Sequence, residues 1–370
     1  MKFLIITHVD HYCEQKKYYA YAPYVREMNT WLKCVNSVII VAPLEKKNKI
    51  AIDLDYSSTQ IDFRSVPSFN TTNWRQIFNA LIDFPRLIYT VFKAMYESDH
   101  IHLRCPGNMG LIGCIVQIFF PKKKKTAKYA GNWDLKAKQP WSYRLQKWIL
   151  NNPFLTKNMQ VLVYGTWEGS SRNIKPFFTA TYSALEKEPL LQRNWNDGIR
   201  FVFVGTLSEG KRPLYALQLV EQLVQSGQKV SLQFFGEGVQ RTLLQEYIGT
   251  HHLSECITLE GNQSKEVVLE AYKNAHFLIL PSKSEGWPKV VAEAMFWGCI
   301  PLATRVSCVP DMLAGGTRGV LLGLDLAQDA AQVAHLIGNA ILFDQMSSAA
   351  ATWSRTYTTE KFEHEIKNLL

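Results

Sequence analysis

The strongest constraint on this chain is an alternation: short apolar runs and helix-patterned segments follow one another in two series with a break between them. In the first series 3–7, 37–42, 100–103, 126–130 and 160–164 read as strands, and 21–34, 74–95, 110–120 and 141–150 as helices. In the second, strands are expected at 199–204, 230–235, 257–259, 276–280 and 300–303, and helices at 213–225, 240–248, 265–274, 288–297 and 327–343. Apolar runs separated by helical crossovers require parallel strands in sheets covered on both faces. Pro189, Asn194, Asn196 and Gly198 make 183–198 the linker. At 370 residues the chain exceeds one core. Domains are therefore expected at 1–190 and 199–345, and 349–370 reads as a final helix with Trp353, Tyr357, Phe362 and Ile366 as its apolar stripe.

The densest chemistry lies in 281–301, Pro-Ser-Lys-Ser-Glu-Gly-Trp-Pro-Lys-Val-Val-Ala-Glu-Ala-Met-Phe-Trp-Gly-Cys-Ile-Pro. A buried strand ends at Pro281, a polar loop carries Glu285, and Pro288 stands where a helix would begin, a position that tolerates a missing N–H. Glu293 lies eight residues after Glu285. Two carboxylates thus flank a helix N-terminus at the carboxyl end of a parallel strand, where open α/β sheets bind ligands and where amides and the helix dipole favour anions. By spacing alone the same string is also an ordinary strand-loop-helix unit. A second such unit runs from Phe201 through Gly205 and Thr206 to Lys211, Arg212 and Pro213, which sets a lysine before a helix start.

The first string resembles the signature of the family 4, retaining, GT-B glycosyltransferases: Ser-x-x-Glu-Gly-x-Pro, a second Glu eight residues on, then Ala-Met-x-x-Gly-x-Pro. The resemblance is strong over about 199–323 and rests on pattern alone in the first 180 residues. It implies an α/β GT-B fold, two Rossmann-like domains facing each other across a cleft, with the tail helix packing back on the N-terminal domain. It implies a nucleotide-diphosphate sugar as donor, with Glu285 on hydroxyls of the donor sugar, Glu293 on the ribose and Lys211 on the diphosphate. Gly205, Thr206, Arg212, Gly236, Gly261, Asn262 and the loop residues Gly286, Trp287, Lys289 and Val290 complete the expected donor site. Many relatives carry an Arg where Thr206 stands, which leaves Lys211, Arg212 or backbone amides to hold the charge. Both glycines of the relatives' Gly-Gly-x-Pro-Glu are absent from Arg305–Asp311, although Pro310 and Asp311 keep register. On the acceptor side Arg104, Asn132, Asp134 and His11 are candidates, with packing the favoured reading for His11; His8 and Tyr21 lie near the same strand end. The implied acceptor is a glycan or a lipid-linked sugar, and the implied setting is synthesis of polysaccharide for the cell envelope.

Charge divides the chain. Residues 1–195 hold 27 Lys and Arg against 14 Asp and Glu, and 196–370 hold 14 against 18, so +13 faces −4. An anionic partner is expected for the first half. Lys122, Lys123, Lys124 and Lys125 form the densest run, and a contact with the anionic inner face of a membrane suits it better than nucleic acid, since no aromatic-basic repeat accompanies it. Seven cysteines without a Cys-x-x-Cys pair read as reduced, packed thiols, and the N-terminal segment lacks a signal-peptide pattern, which implies a cytoplasmic address. The longest apolar run, 111–120, is about half a bilayer span. Asp53-Leu54-Asp55 has metal-site spacing but follows no buried strand, so neither a metal nor another cofactor is expected. Rival readings are a sugar-nucleotide epimerase or an inverting transferase on the same fold, and a non-catalytic membrane- or nucleic-acid-binding protein. A nicotinamide oxidoreductase is disfavoured because no Gly-x-Gly-x-x-Gly opens a helix.

Overall fold

A computed structural model of the chain describes residues 1–45, 53–58, 60–67 and 74–370. They form two compact units, Met1–Phe178 with Phe362–Leu370, and Thr179–Lys361. The first contains β1 (Lys2–Ile6), β2 (Tyr12–Glu14), β3 (Lys17–Tyr21), α1 (Ala22–Leu32), β4 (Ser37–Pro43), β5 (Asp53–Asp55) and β6 (Ile61–Val66). It continues with α2 (Trp74–Glu97), β7 (His100–Cys105), α3 (Asn108–Val116), β8 (Lys124–Tyr129), α4 (Trp141–Leu150), β9 (Met159–Tyr164) and β10 (Ile174–Phe177). Seven of these strands make one sheet in the order β10-β9-β8-β7-β1-β4-β6, and its pairings are parallel. The central strands are apolar on both faces, with Phe3, Leu4, Ile5 and Ile6 wholly buried, as a sheet covered by helices on each side demands.

The second unit runs β11 (Ile199–Val204), α5 (Pro213–Gln225), β12 (Val230–Phe235), α6 (Arg241–Thr250), β13 (Ile257–Gly261), α7 (Lys265–Asn274) and β14 (Phe277–Leu280). After these come α8 (Lys289–Phe296), β15 (Ile300–Thr304), α9 (Val309–Met312), β16 (Val320–Leu322), α10 (Leu326–Ile337) and α11 (Ala340–Ser354), and then α12 (Thr359–Leu369), which belongs to the first unit from Phe362 onward. The sheet order is β13-β12-β11-β14-β15-β16, again parallel. Strand order reverses between β11 and β14, so the loops after these two strands diverge from one point and open a crevice at their carboxyl ends.

Three expectations are corrected. The tail is two helices rather than one: α11 stops at Ser354 and α12 starts at Thr359. The break divides the apolar stripe, because Trp353 and Tyr357 pack on Trp287 while Phe362 packs on Phe177 and Phe178. The helix expected over 327–343 likewise divides, because the Asn339 side chain caps a new helix by accepting from the Leu342 amide. A small antiparallel sheet, β2-β3-β5, was not anticipated; it contains Asp53 and Asp55, and Asp55 pairs with Lys17 at 3.1 Å.

Candidate active site

In the second unit the site is built where strand order reverses. The loop after β11 carries Gly205 to Arg212 and the loop after β14 carries Pro281 to Pro288. The Lys283 amide donates to the Gly210 carbonyl at 2.7 Å, and Lys283 forms an ion pair with Glu209, so the two loops are joined. Within that frame Lys211 Nζ lies 2.5 Å from Glu285 Oε1. Only 9% of the Glu285 side chain is exposed against 29% for Lys211, so the lysine is the more accessible member of the pair. Arg212 differs: its guanidinium donates to the Pro281 carbonyl at 3.2 Å and ties β14 to the start of α5.

Glycine is required beside this pair. Gly236 adopts φ +144, and a Cβ there would stand 2.0 Å from the Gly205 carbonyl oxygen. The Gly205 amide donates to the Phe235 carbonyl and the Gly236 amide to the Gly261 carbonyl, which sets the ends of β11, β12 and β13 side by side. Gly261 closes the third strand at φ +70, followed by Asn262. Thr206 is exposed at the rim and brings no charge.

The Glu285 loop leads into α8, whose first-turn amides have no acceptor within the helix. Pro288 holds the N-cap place and Lys289 and Val290 open the first turn. Side chains that the sequence did not single out support the turn: Ser307 Oγ donates to the Gly286 carbonyl at 2.9 Å and Cys308 Sγ at 3.3 Å. Burial raises the Cys308 thiol to about 12, so it is a packed donor rather than a thiolate. On the far side of the turn Trp287 stacks near Trp353 with centroids 6.1 Å apart. Glu293, on α8, accepts from Thr181 Oγ1 at 2.7 Å and from the Tyr272 hydroxyl at 3.4 Å. Burial, then the charge of Glu293, raises the Tyr272 pKa well above its ordinary value, so Tyr272 stays a donor. These partners depend on tertiary folding and leave no spacing signal, whereas Glu285, Glu293 and Lys211 were legible from their string.

The first-unit candidates are occupied by the fold. His11 is fully buried, its Nδ1 and Nε2 each 2.7 Å from an oxygen, the Val9 carbonyl and the Tyr56 hydroxyl. Burial lowers its pKa to about 4, and both ring nitrogens are engaged within the fold. Arg104 makes a buried ion pair with Glu27 at 2.9 Å and lies over the Tyr24 ring. Asn132 and Asp134 organise the turn after β8: Asn132 Oδ1 accepts from the Asp134 amide and Asp134 Oδ1 from the Lys136 amide, both at 2.9 Å. His8 follows β1 with one face of its residue open to solvent and its ring against Gly107, and the partial desolvation on that side, followed by the Arg104 charge, lowers its pKa. The lysine run is not one surface patch. Lys125 is buried with Nζ on the carbonyls of Gln117 and Phe120, and Lys123 reaches the carbonyls of Tyr96 and Ser98, leaving Lys122 and Lys124 exposed.

Two parallel-sheet α/β units of this kind define the GT-B fold, and comparison with solved structures agrees. An Anabaena protein, HepE, in complex with UDP superimposes with a TM-score of 0.70 at 13% identity, over 100% of this chain and 99% of that one. Sucrose-phosphate synthase from Thermosynechococcus elongatus gives 0.68 at 16% identity, over 100% and 98%. Residues 192–352 match the family described as glycosyl transferases group 1, so the second unit carries a glycosyltransferase domain, an enzyme domain. An uncharacterised glycosyltransferase of Methanocaldococcus jannaschii is 25% identical over 193 residues, 51% of this chain and 52% of that protein. The matched stretch thus spans about half the length of that relative.

Proposed function

We propose that this chain transfers a glycosyl unit from a nucleoside-diphosphate sugar to a glycan or lipid-linked sugar acceptor, with retention, as a family 4 enzyme of cell-envelope polysaccharide synthesis. The observation that carries the reading is Lys211 beside Glu285, at the strand-order reversal and next to the start of α8. Transfer breaks the anomeric C–O bond, and the electron pair leaves on the diphosphate while the acceptor hydroxyl bonds to the anomeric carbon and loses its proton. A lysine and a helix N-terminus already aimed at the growing negative charge need no reorganisation at that moment, the electrostatic term that is usually largest in catalysis. In this reading Lys211 and the amides around Gly286 to Val290 hold the diphosphate, and Glu285 orients the donor sugar through its hydroxyls. The ribose hydroxyls replace Thr181 as donors to Glu293. No metal takes part, and the acceptor binds the first unit.

Binding of UDP by the Anabaena neighbour supports a nucleoside-diphosphate donor. Among the described residues no helix is long and apolar enough to cross a membrane. The reading places the chain in the cytoplasm, touching the inner membrane face through the exposed lysines Lys122 and Lys124. The test is incubation with a panel of nucleoside-diphosphate sugars, with mass spectrometry of the nucleotide released and of the transferred product. Turnover that survives excess EDTA and yields product with the donor's anomeric configuration supports the reading. Salt-sensitive binding to nucleic acid without turnover of any donor contradicts it.

A further inference from the structure

The first unit has a second cavity, at the opposite edge of its sheet from the loops that follow β7 and β8. It lies where β8, β9 and β10 begin and has a volume of about 610 Å³. Lys124, Lys157, Arg172 and Lys175 line it, and among the described residues no Asp or Glu does. Among the described residues none of the four takes part in an ion pair. Lys124 donates to the Leu370 carbonyl at 2.9 Å and Lys157 lies over the Phe154 ring, so Arg172 and Lys175 are the cations least committed to the walls. Lys125, in the same wall, is different in kind, since its ammonium is spent on two main-chain carbonyls. Beside them the buried Oε1 of Gln160 has no hydrogen-bond partner.

Like charges around one cavity repel, and the repulsion is relieved by an anion of more than one charge. Guanidinium and ammonium groups together suit phosphate oxygens, which accept charge-assisted hydrogen bonds from both. The unpartnered Gln160 oxygen is an acceptor, so it matches a hydroxyl next to the phosphate or a protonated phosphate oxygen. A cavity of this volume lies within the range of small-ligand sites and exceeds what a bare phosphate needs. We propose that this cavity binds a phosphate-bearing ligand, independently of the donor diphosphate at Lys211.

The test is calorimetric titration of the whole chain with pyrophosphate, against sodium chloride of equal ionic strength. It is done in the Lys211→Ala background so that the donor site does not contribute. Saturable binding is expected, weakened about tenfold or more by Arg172→Gln with Lys175→Gln, since each removes a charge-assisted bond. Circular dichroism checks that the double variant is folded, and Gln160→Leu gives a milder second test in which binding also weakens. Two vesicle arms identify the source: phosphatidylcholine alone, and phosphatidylcholine with phosphatidate. Pelleting only with phosphatidate, lost in the double variant, assigns the cavity to a lipid headgroup; pyrophosphate binding without pelleting assigns it to a soluble phosphate compound. Pyrophosphate binding that is absent, or unchanged in the double variant, overturns the proposal.

Discussion

Four cations of the first unit and one of the second are held in opposite ways. In the first unit Arg104, Lys125, Lys128 and Lys147 are turned inward, on Glu27 or on carbonyls of Gln117, Phe120, Phe178 and Asp134. Burial lowers Lys125 and Lys147 to about 8. In the second unit Lys211 is held by a carboxylate on a loop at the strand ends, with its side chain partly open to solvent. A net positive charge read from composition therefore does not locate an anion site. What distinguishes a binding cation from a structural one is whether its partner lies in the fold or on the rim of a crevice.

That contrast can be broken most forcefully at the Arg104–Glu27 pair. Glu27→Leu strands a buried guanidinium and should destabilise the first unit by about 3–5 kcal/mol in urea titrations, since an unpaired buried charge is costly. A loss below about 1 kcal/mol would mean that water reaches Arg104 and that it belongs with the accessible cations.

Acid should act next. Burial lowers His11 and His100 to about 4 and His102 and His276 to about 3. The unfolded chain protonates these rings near pH 6.5 and the folded chain only far below it, so unfolding takes up protons in between. Stability should be flat above about pH 7 and fall by at least about 1 kcal/mol per pH unit from pH 6 toward pH 4. Melting temperatures across that range check the sign, and a rise on acidification would contradict the burial. His11→Asn, which keeps a donor and an acceptor, should reduce the slope.

Within the second unit, Glu285→Gln should chiefly lower kcat, by about tenfold to a hundredfold, because Glu285 pairs with Lys211 and, in the proposed reading, holds the donor sugar. Glu293→Gln should chiefly raise KM for the donor. Near-unaltered kinetics for both variants would remove the carboxylates from the site. The smallest effect is expected from Lys125→Met. It replaces a buried amine by an apolar chain of similar length, and urea titration should show a change within about 1.5 kcal/mol and activity unaltered.

Much of the frame was legible because a parallel sheet writes itself as apolar runs, which marked ten of the thirteen strands of the two sheets; the edge strands β6, β10 and β16 are short or largely polar and were not read. The β2-β3-β5 sheet was not, because Tyr12–Glu14 and Lys17–Tyr21 are short, half exposed and without an apolar run. The break between α11 and α12 was hidden because the stripe from Trp353 to Ile366 keeps helical spacing across a change of packing partner. In the site, Glu285, Glu293 and Lys211 stood out through their string. The donors that hold Glu293 and Gly286, namely Thr181, Tyr272, Ser307 and Cys308, are far off in sequence and were not visible as partners. The ion pair of Arg104 with Glu27 on α1 was not visible either, since nothing local to Arg104 announces that carboxylate.

The central claim is that Lys211, and not Arg212, carries the donor's diphosphate charge. The decisive measurement is kcat/KM for the donor in Lys211→Ala and Arg212→Ala. Lys211→Ala should lose about 3 kcal/mol of transition-state stabilisation, comparable to one oxyanion donor, with its melting temperature nearly unchanged. Lys211→Arg should recover only part of the rate, because a longer planar group cannot replace a point charge. Arg212→Ala should lose less, since its guanidinium is spent on the Pro281 carbonyl. A larger loss in Arg212→Ala than in Lys211→Ala would contradict the account and move the phosphate role to Arg212.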